Sequence, residues 1–153
     1  MNNVRHAYKK NHGAAAIEFA LVFPLFFVIF YAIITYGLIF VAQQSITLAA
    51  AEGARAALRY AANDTDRETN ATNAAIGTGS VAYWLMPRLT VTNTLGTCPY
   101  SSAANNSTGV RCYRVTVTYA NYGQNPLVPL LLGPLMKVVV PDKLESSAII
   151  QID

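Results

Sequence analysis

His12-Gly-Ala-Ala-Ala-Ile-Glu-Phe-Ala-Leu-Val-Phe-Pro24 opens an apolar run that continues to about Val41, and the rest of the chain is arranged around it. From Ala14 to Ala42 the only ionisable side chain other than tyrosine is Glu18. About 20 apolar residues cross a bilayer as a helix, so this run is long enough with a margin for tilt. Its flanks differ. Arg5, His6, Lys9, Lys10 and His12 precede it, and no charge follows it until Glu52. Cationic flanks resist translocation, which predicts a cytoplasmic N-terminus and everything after about Ala42 on the far side. A carboxylate in such a run costs up to a few kcal/mol at mid-bilayer and less near a boundary, so Glu18 asks for a partner.

A glycine, a short apolar lead-in and Glu-Phe-Ala behind a basic leader resemble the processing site of type IV pilins, and more narrowly the TadE/TadG-like pseudopilins of the Tad (Flp) pilus. The residues that carry the resemblance are Gly13, Ala14, Glu18, Phe19 and Ala20-Leu-Val-Phe-Pro24, followed by Ala50-Ala-Glu-Gly-Ala-Arg-Ala56. The second group matches the family's helix signature, Glu52, Gly53, Ala54 and Arg55; Ala51 departs from it, since relatives often carry a basic residue there. The resemblance covers about residues 12 to 62. It implies cleavage between Gly13 and Ala14 by a membrane aspartyl prepilin peptidase, which makes Ala14 the new N-terminus and Glu18 the fifth mature residue.

Physical chemistry makes such a site reasonable. Gly13 has no Cβ, so the backbone there enters a protease cleft easily. The new ammonium at Ala14 lies one helical turn from Glu18, the spacing at which side groups share a face. In a bundle of such helices Glu18 of one subunit meets the Ala14 amine of its neighbour, and an unpaired Glu18 is penalised. Glu18 therefore sets register; it is not a catalyst.

The chain has 153 residues, enough for one membrane helix and one small domain. Its formal charge of +3 comes from Arg5, Lys9 and Lys10; without residues 1–13 eight basic residues face eight acidic ones, so no nucleic-acid surface is expected. A secretory signal peptide competes for the N-terminus, but its apolar core is about 7–15 residues, roughly half of what stands here.

The expected organisation is a leader over 1–13, the transmembrane half of a long helix over 14–42, its periplasmic half over 43–62, and a small α+β domain over 63–153. The helix from about Ala14 to Ala62 is roughly 70 Å long at 1.5 Å per residue. Pro24 is expected to kink it, and Gly37 offers a second soft point. Beyond the membrane Ile46, Ala50, Gly53, Ala54, Ala57 and Ala61 form a stripe of small residues that invites close packing by the domain's own sheet. Glu52 and Arg55, three apart, are placed to pair.

Asp64 or Thr65 is expected to cap a second helix from about Asp66 to Ile76, with Ala71, Ala74 and Ala75 inward. Val81 to Met86 reads as an aromatic patch on the sheet with Trp84 in the core. Arg88–Thr92 and Arg111–Tyr119 alternate as half-buried strands, with Asn93 to Gly109 as a polar loop between them. Leu127 to Val140, too short to span a bilayer, is a buried crossover or an interfacial segment. Leu144–Ile152 closes the sheet. Cys98 and Cys112 flank the polar loop, and outside the cytoplasm such a pair forms a disulfide.

No phosphate loop, dinucleotide fingerprint or nucleophile elbow is present, and no histidine follows His12. Two cysteines without a nearby histidine do not complete a zinc shell, and the Asp64, Asp66, Glu68 spacing is not that of a calcium loop. The expectation is an α+β minor pilin or pseudopilin, with a long N-terminal helix packed on a small antiparallel sheet domain. It is a non-enzyme without cofactor or metal. By resemblance its partners are the prepilin peptidase, the assembly platform, the major pilin, other minor pilins and membrane lipid. The competing classes are a membrane-anchored binding or adhesion domain and a tethered enzyme.

Overall fold

The computed structural model describes residues 12–99, 111–129 and 140–152. Two helices, a 3₁₀ turn and three strands follow in the order α1 (His12–Ala57), α2 (Asp64–Ile76), Tyr83–Leu85, β1 (Leu89–Thr97), β2 (Arg111–Tyr119) and β3 (Leu144–Ile152). The fold is α+β: one long apolar N-terminal helix and a three-stranded antiparallel sheet. The chain divides into two compact units, Met1–Gly37 and Leu38–Asp153. The division falls at the glycine singled out as a soft point.

In the first unit the described residues belong entirely to α1, which is long and apolar enough to cross a membrane. Its large side chains stand exposed, among them Ile17, Phe19, Leu21, Leu25 and Phe26. Soluble helices bury one such stripe, whereas here apolar side chains stand exposed all round the helix. The helix runs through Pro24, whose missing N–H leaves the Ala20 carbonyl without its intrahelical donor.

In the second unit the sheet order is β1-β2-β3, with β2 central. The registers run from Leu89↔Tyr119 to Thr97↔Arg111 and from Arg111↔Ile152 to Tyr119↔Leu144. On β2 the alternating residues Tyr113, Val115, Val117 and Tyr119 are buried, as period-two patterning requires. They meet the small-residue stripe of α1: Ile46, Ala50, Gly53, Ala54 and Ala57 are all buried, and Ala61 is half-buried.

Four local expectations are corrected. First, α1 ends at Ala57, not near Ala62. Leu58 and Arg59 close the last turn with 3₁₀-type bonds to Arg55 and Ala56, and the Arg67 guanidinium donates to the Ala57 carbonyl. A cation on that carbonyl also answers the helix dipole, so α2 supplies the stop. Second, α2 is capped by Asn63, whose Oδ1 accepts from Asp66 N at 2.8 Å. Ala71 and Ala75 are its buried residues, while Ala74 is half-buried.

Third, β1 extends five residues beyond Thr92, to Thr97. Its outer half is polar and mostly exposed, and cross-strand pairing with β2 holds it. Fourth, Trp84 is not core: it is 48% exposed, and Ala82 and Leu85 are the buried residues of that segment. Residues 1–11, most of the polar loop (100–109) and most of the apolar segment Leu127 to Val140 (130–139) lie outside the described residues.

Candidate functional site: the N-terminal helix and its signature

Gly13, Ala14, Glu18 and Phe19 all lie in the first turns of α1 and are exposed along the helix. A Cβ at Gly13 would meet nothing within 4 Å, so no packing among the described residues demands glycine there. Among the described residues no cation stands within ion-pairing distance of Glu18. Phe19 begins an aromatic ladder four residues apart: its ring lies 5.2 Å from that of Phe23, which lies 6.3 Å from Phe27. Phe26 and Phe30 repeat the spacing at 6.0 Å. Before Gln43 the helix thus carries one carboxylate beside stacked rings that stay exposed among the described residues.

The second motif divides by face. Gly53 and Ala54 point inward and are buried; Glu52 and Arg55 point outward and pair at 2.9 Å. Their exposure keeps the pair's worth to a few tenths of a kcal/mol. Gly53 matters more. A Cβ added there would stand 3.0 Å from the Ala71 carbonyl oxygen, 3.1 Å from Ala75 Cβ and 3.1 Å from Val115 Cγ1. At this point α1, α2 and β2 approach one another closely, and only a hydrogen fits without displacement. The signature glycine therefore joins the helix to the sheet.

Residues 13–55 match the family model described as TadE-like protein. The match begins at the glycine of the first motif and ends at the arginine of the second, so both lie inside it. The match covers that segment alone, and it is narrower than the 12–62 expected. No curated protein and no solved structure matches the chain. The TadE-like family is not an enzyme family.

Outside the TadE-like segment, Cys98 and Cys112 are joined by a disulfide. It ties the end of β1 to the start of β2, next to the last rung Thr97↔Arg111. Two buried polar features went unread in the sequence. The Tyr119 hydroxyl accepts from Arg88 Nη1 at 3.0 Å and donates to the Asn125 carbonyl at 2.6 Å, with its ring edge-on to Tyr122. Between α2 and the sheet, Asn93 Nδ2 donates to Thr72 Oγ1, while Asn93 Oδ1, Arg67 Nε and the Tyr113 hydroxyl have no hydrogen-bond partner among the described residues. Periodicity marks such residues as inward but not whom they meet.

Proposed function

We propose that this chain is a minor pilin or pseudopilin of a Tad-type pilus, cut between Gly13 and Ala14 and packed into a helical assembly through residues 14–42. The N-terminus lies in the cytoplasm, α1 crosses the inner membrane, and the sheet domain lies in the periplasm or on the fibre. The prepilin peptidase, the assembly platform, the major pilin and other minor pilins are its partners. Its role is assembly, not catalysis.

The observation that carries the reading is Glu18: one carboxylate, exposed among apolar residues, inside the segment that matches the TadE-like model. Cleavage would create an ammonium one turn away, at Ala14. An intrachain or intersubunit pair then lowers the cost of holding Glu18 in lipid, and the intersubunit pair also fixes the stagger between helices. The Phe19, Phe23, Phe27 ladder supplies a neighbouring ridge for van der Waals packing, the force that associates helices in lipid.

Fibre incorporation of Glu18→Ala against the parent, in cells with a working Tad system, tests this. The variant should reach the membrane and be trimmed, yet be depleted from sheared fibres at least tenfold. Equal incorporation of variant and parent would refute the proposed role of Glu18.

A further inference from the structure

Val81, Tyr83, Trp84 and Met86 form an exposed patch of large apolar and aromatic side chains, at 51, 50, 48 and 38% exposure. The patch is preformed. Buried Ala82 and Leu85 anchor it from beneath, and the backbone closes on itself through Tyr83 N to the Ser80 carbonyl at 3.1 Å and Met86 N to the Tyr83 carbonyl at 3.0 Å. Ser80 Oγ accepts from Ala82 N and donates to the Ala75 carbonyl, fixing the turn to α2. Contiguous exposed apolar surface of this kind marks an interaction site.

One hydrogen bond places the patch on α1, and a second brings the start of β3 beside it. Trp84 Nε1 donates to Ser45 Oγ at 3.3 Å. Ser45 stands four residues after Val41 and three before Leu48, so the three share a helix face, and Val41 and Leu48 are 50 and 51% exposed. Gln43 Nε2 donates to the Glu145 carbonyl at 3.1 Å, which brings the start of β3 to the same turn of α1, with the Lys143 ammonium 2.8 Å from Glu145 Oε2. The apolar run ends at about Ala42. At 1.5 Å per residue Ser45 is about 5 Å beyond that end.

We propose that residues 81–86 rest on the outer surface of the lipid bilayer, with the Trp84 indole at headgroup depth. This rests on α1 being the membrane anchor. A tryptophan with its N–H satisfied, a tyrosine and a lysine at the end of an apolar helix are the groups that settle at a membrane–water boundary. Lipid is favoured over a second subunit because the patch sits at the end of the apolar run and continues its exposed face through Val41 and Leu48. Drawing the subunit out of the membrane then strips lipid from this patch.

Trp84 is the only tryptophan of the chain, so its fluorescence reports the patch without labelling. The full chain is reconstituted in phosphatidylethanolamine–phosphatidylglycerol vesicles whose acyl chains are brominated near the headgroup or near the chain end, and vesicle flotation is read alongside. Expected are flotation, shielding from iodide, and stronger quenching by shallow than by deep bromines. Flotation with iodide quenching and no bromine quenching overturns the proposal and leaves the anchor intact. Failure to float removes the anchor and the proposal together. Shielding from both quenchers that disappears when protein is diluted in lipid assigns the patch to a second copy and overturns the lipid assignment. In a Trp84→Phe, Tyr60→Trp variant the sole indole moves to a position 93% exposed and should respond to iodide alone. Equal shallow-bromine quenching there also sinks the proposal.

Discussion

A methyl group at Gly53 would press on the backbone of α2, the side chain of Ala75 and Val115 of β2 together, and the first two contacts can yield only if α2 shifts. Helix propensity favours alanine over glycine by about 1 kcal/mol, while overpacking a tight contact costs about 1–3 kcal/mol. The second effect should win, so Gly53→Ala is expected to lose about 1 kcal/mol in denaturant titration and Gly53→Val considerably more. A stabilised Gly53→Ala would show that the junction has slack. The two buried tyrosines of β2 make a sharper comparison. Tyr119→Phe abandons the Arg88 donor and the Asn125 carbonyl and should cost about 1–2 kcal/mol, whereas Tyr113→Phe removes a hydroxyl with no described partner and should be neutral or stabilising. The reverse order would contradict the hydrogen-bonding pattern described above.

The disulfide acts at the scale of a strand. The outer end of β1, Thr94 to Thr97, buries almost nothing and is held by pairing with β2 and by the Cys98–Cys112 bond. Closing a loop with a sequence separation of 14 is worth about 3 kcal/mol in the chain-entropy model. A Cys98→Ser, Cys112→Ser variant should lose about that much, and amides 93–97 should gain hydrogen exchange before those of β2. Uniform loss of protection across the sheet would show that the bond supports the core instead. The same strand shows where sequence reading stops. β2 carries its own alternation, and both β2 and β3 lie at the expected bounds, but Thr94-Leu-Gly-Thr97 looks like loop and is strand only because Arg111 to Arg114 lie opposite. The end of α1 at Ala57 is likewise set by Arg67, ten residues on, with no glycine or proline to announce it. The stripe from Ile46 to Ala57 was readable because burying small residues at helical spacing is a local pattern. Trp84 was misplaced because an indole's size suggests the core, while its N–H bond to Ser45 leaves the ring outside.

For the whole molecule, titration gives stability a pH dependence. Burial, reinforced by the Glu68 and Asp64 carboxylates against Arg67, holds the Tyr113 hydroxyl above the ordinary tyrosine value of 10.0, and burial does the same for Tyr122. Their neutral forms are favoured in the fold, so that stability is intact below pH ~10 and is lost as pH rises through the raised values. The hydrogen bond and charge of Lys143 hold Glu145 below the ordinary carboxylate value of 4.5, so its contribution is present above that value and fades as pH falls through the lowered one. Denaturant titrations across pH should therefore show a plateau with an alkaline fall that Tyr113→Phe reduces; an unchanged alkaline limb would contradict the assignment to Tyr113. Assembly makes the larger demand on the chain. In the proposed assembly Glu18 gains its partner once the bond before Ala14 is broken, so the role proposed for the first half of α1 follows from that cut. The direct measurement is intact-mass and N-terminal analysis of the protein purified from membranes of cells with and without the prepilin peptidase, alongside Gly13→Ser. The expected result is a chain beginning at Ala14 only when the peptidase is present, and an intact leader in the variant; a parent protein that keeps residues 1–13 in the presence of the peptidase would contradict it.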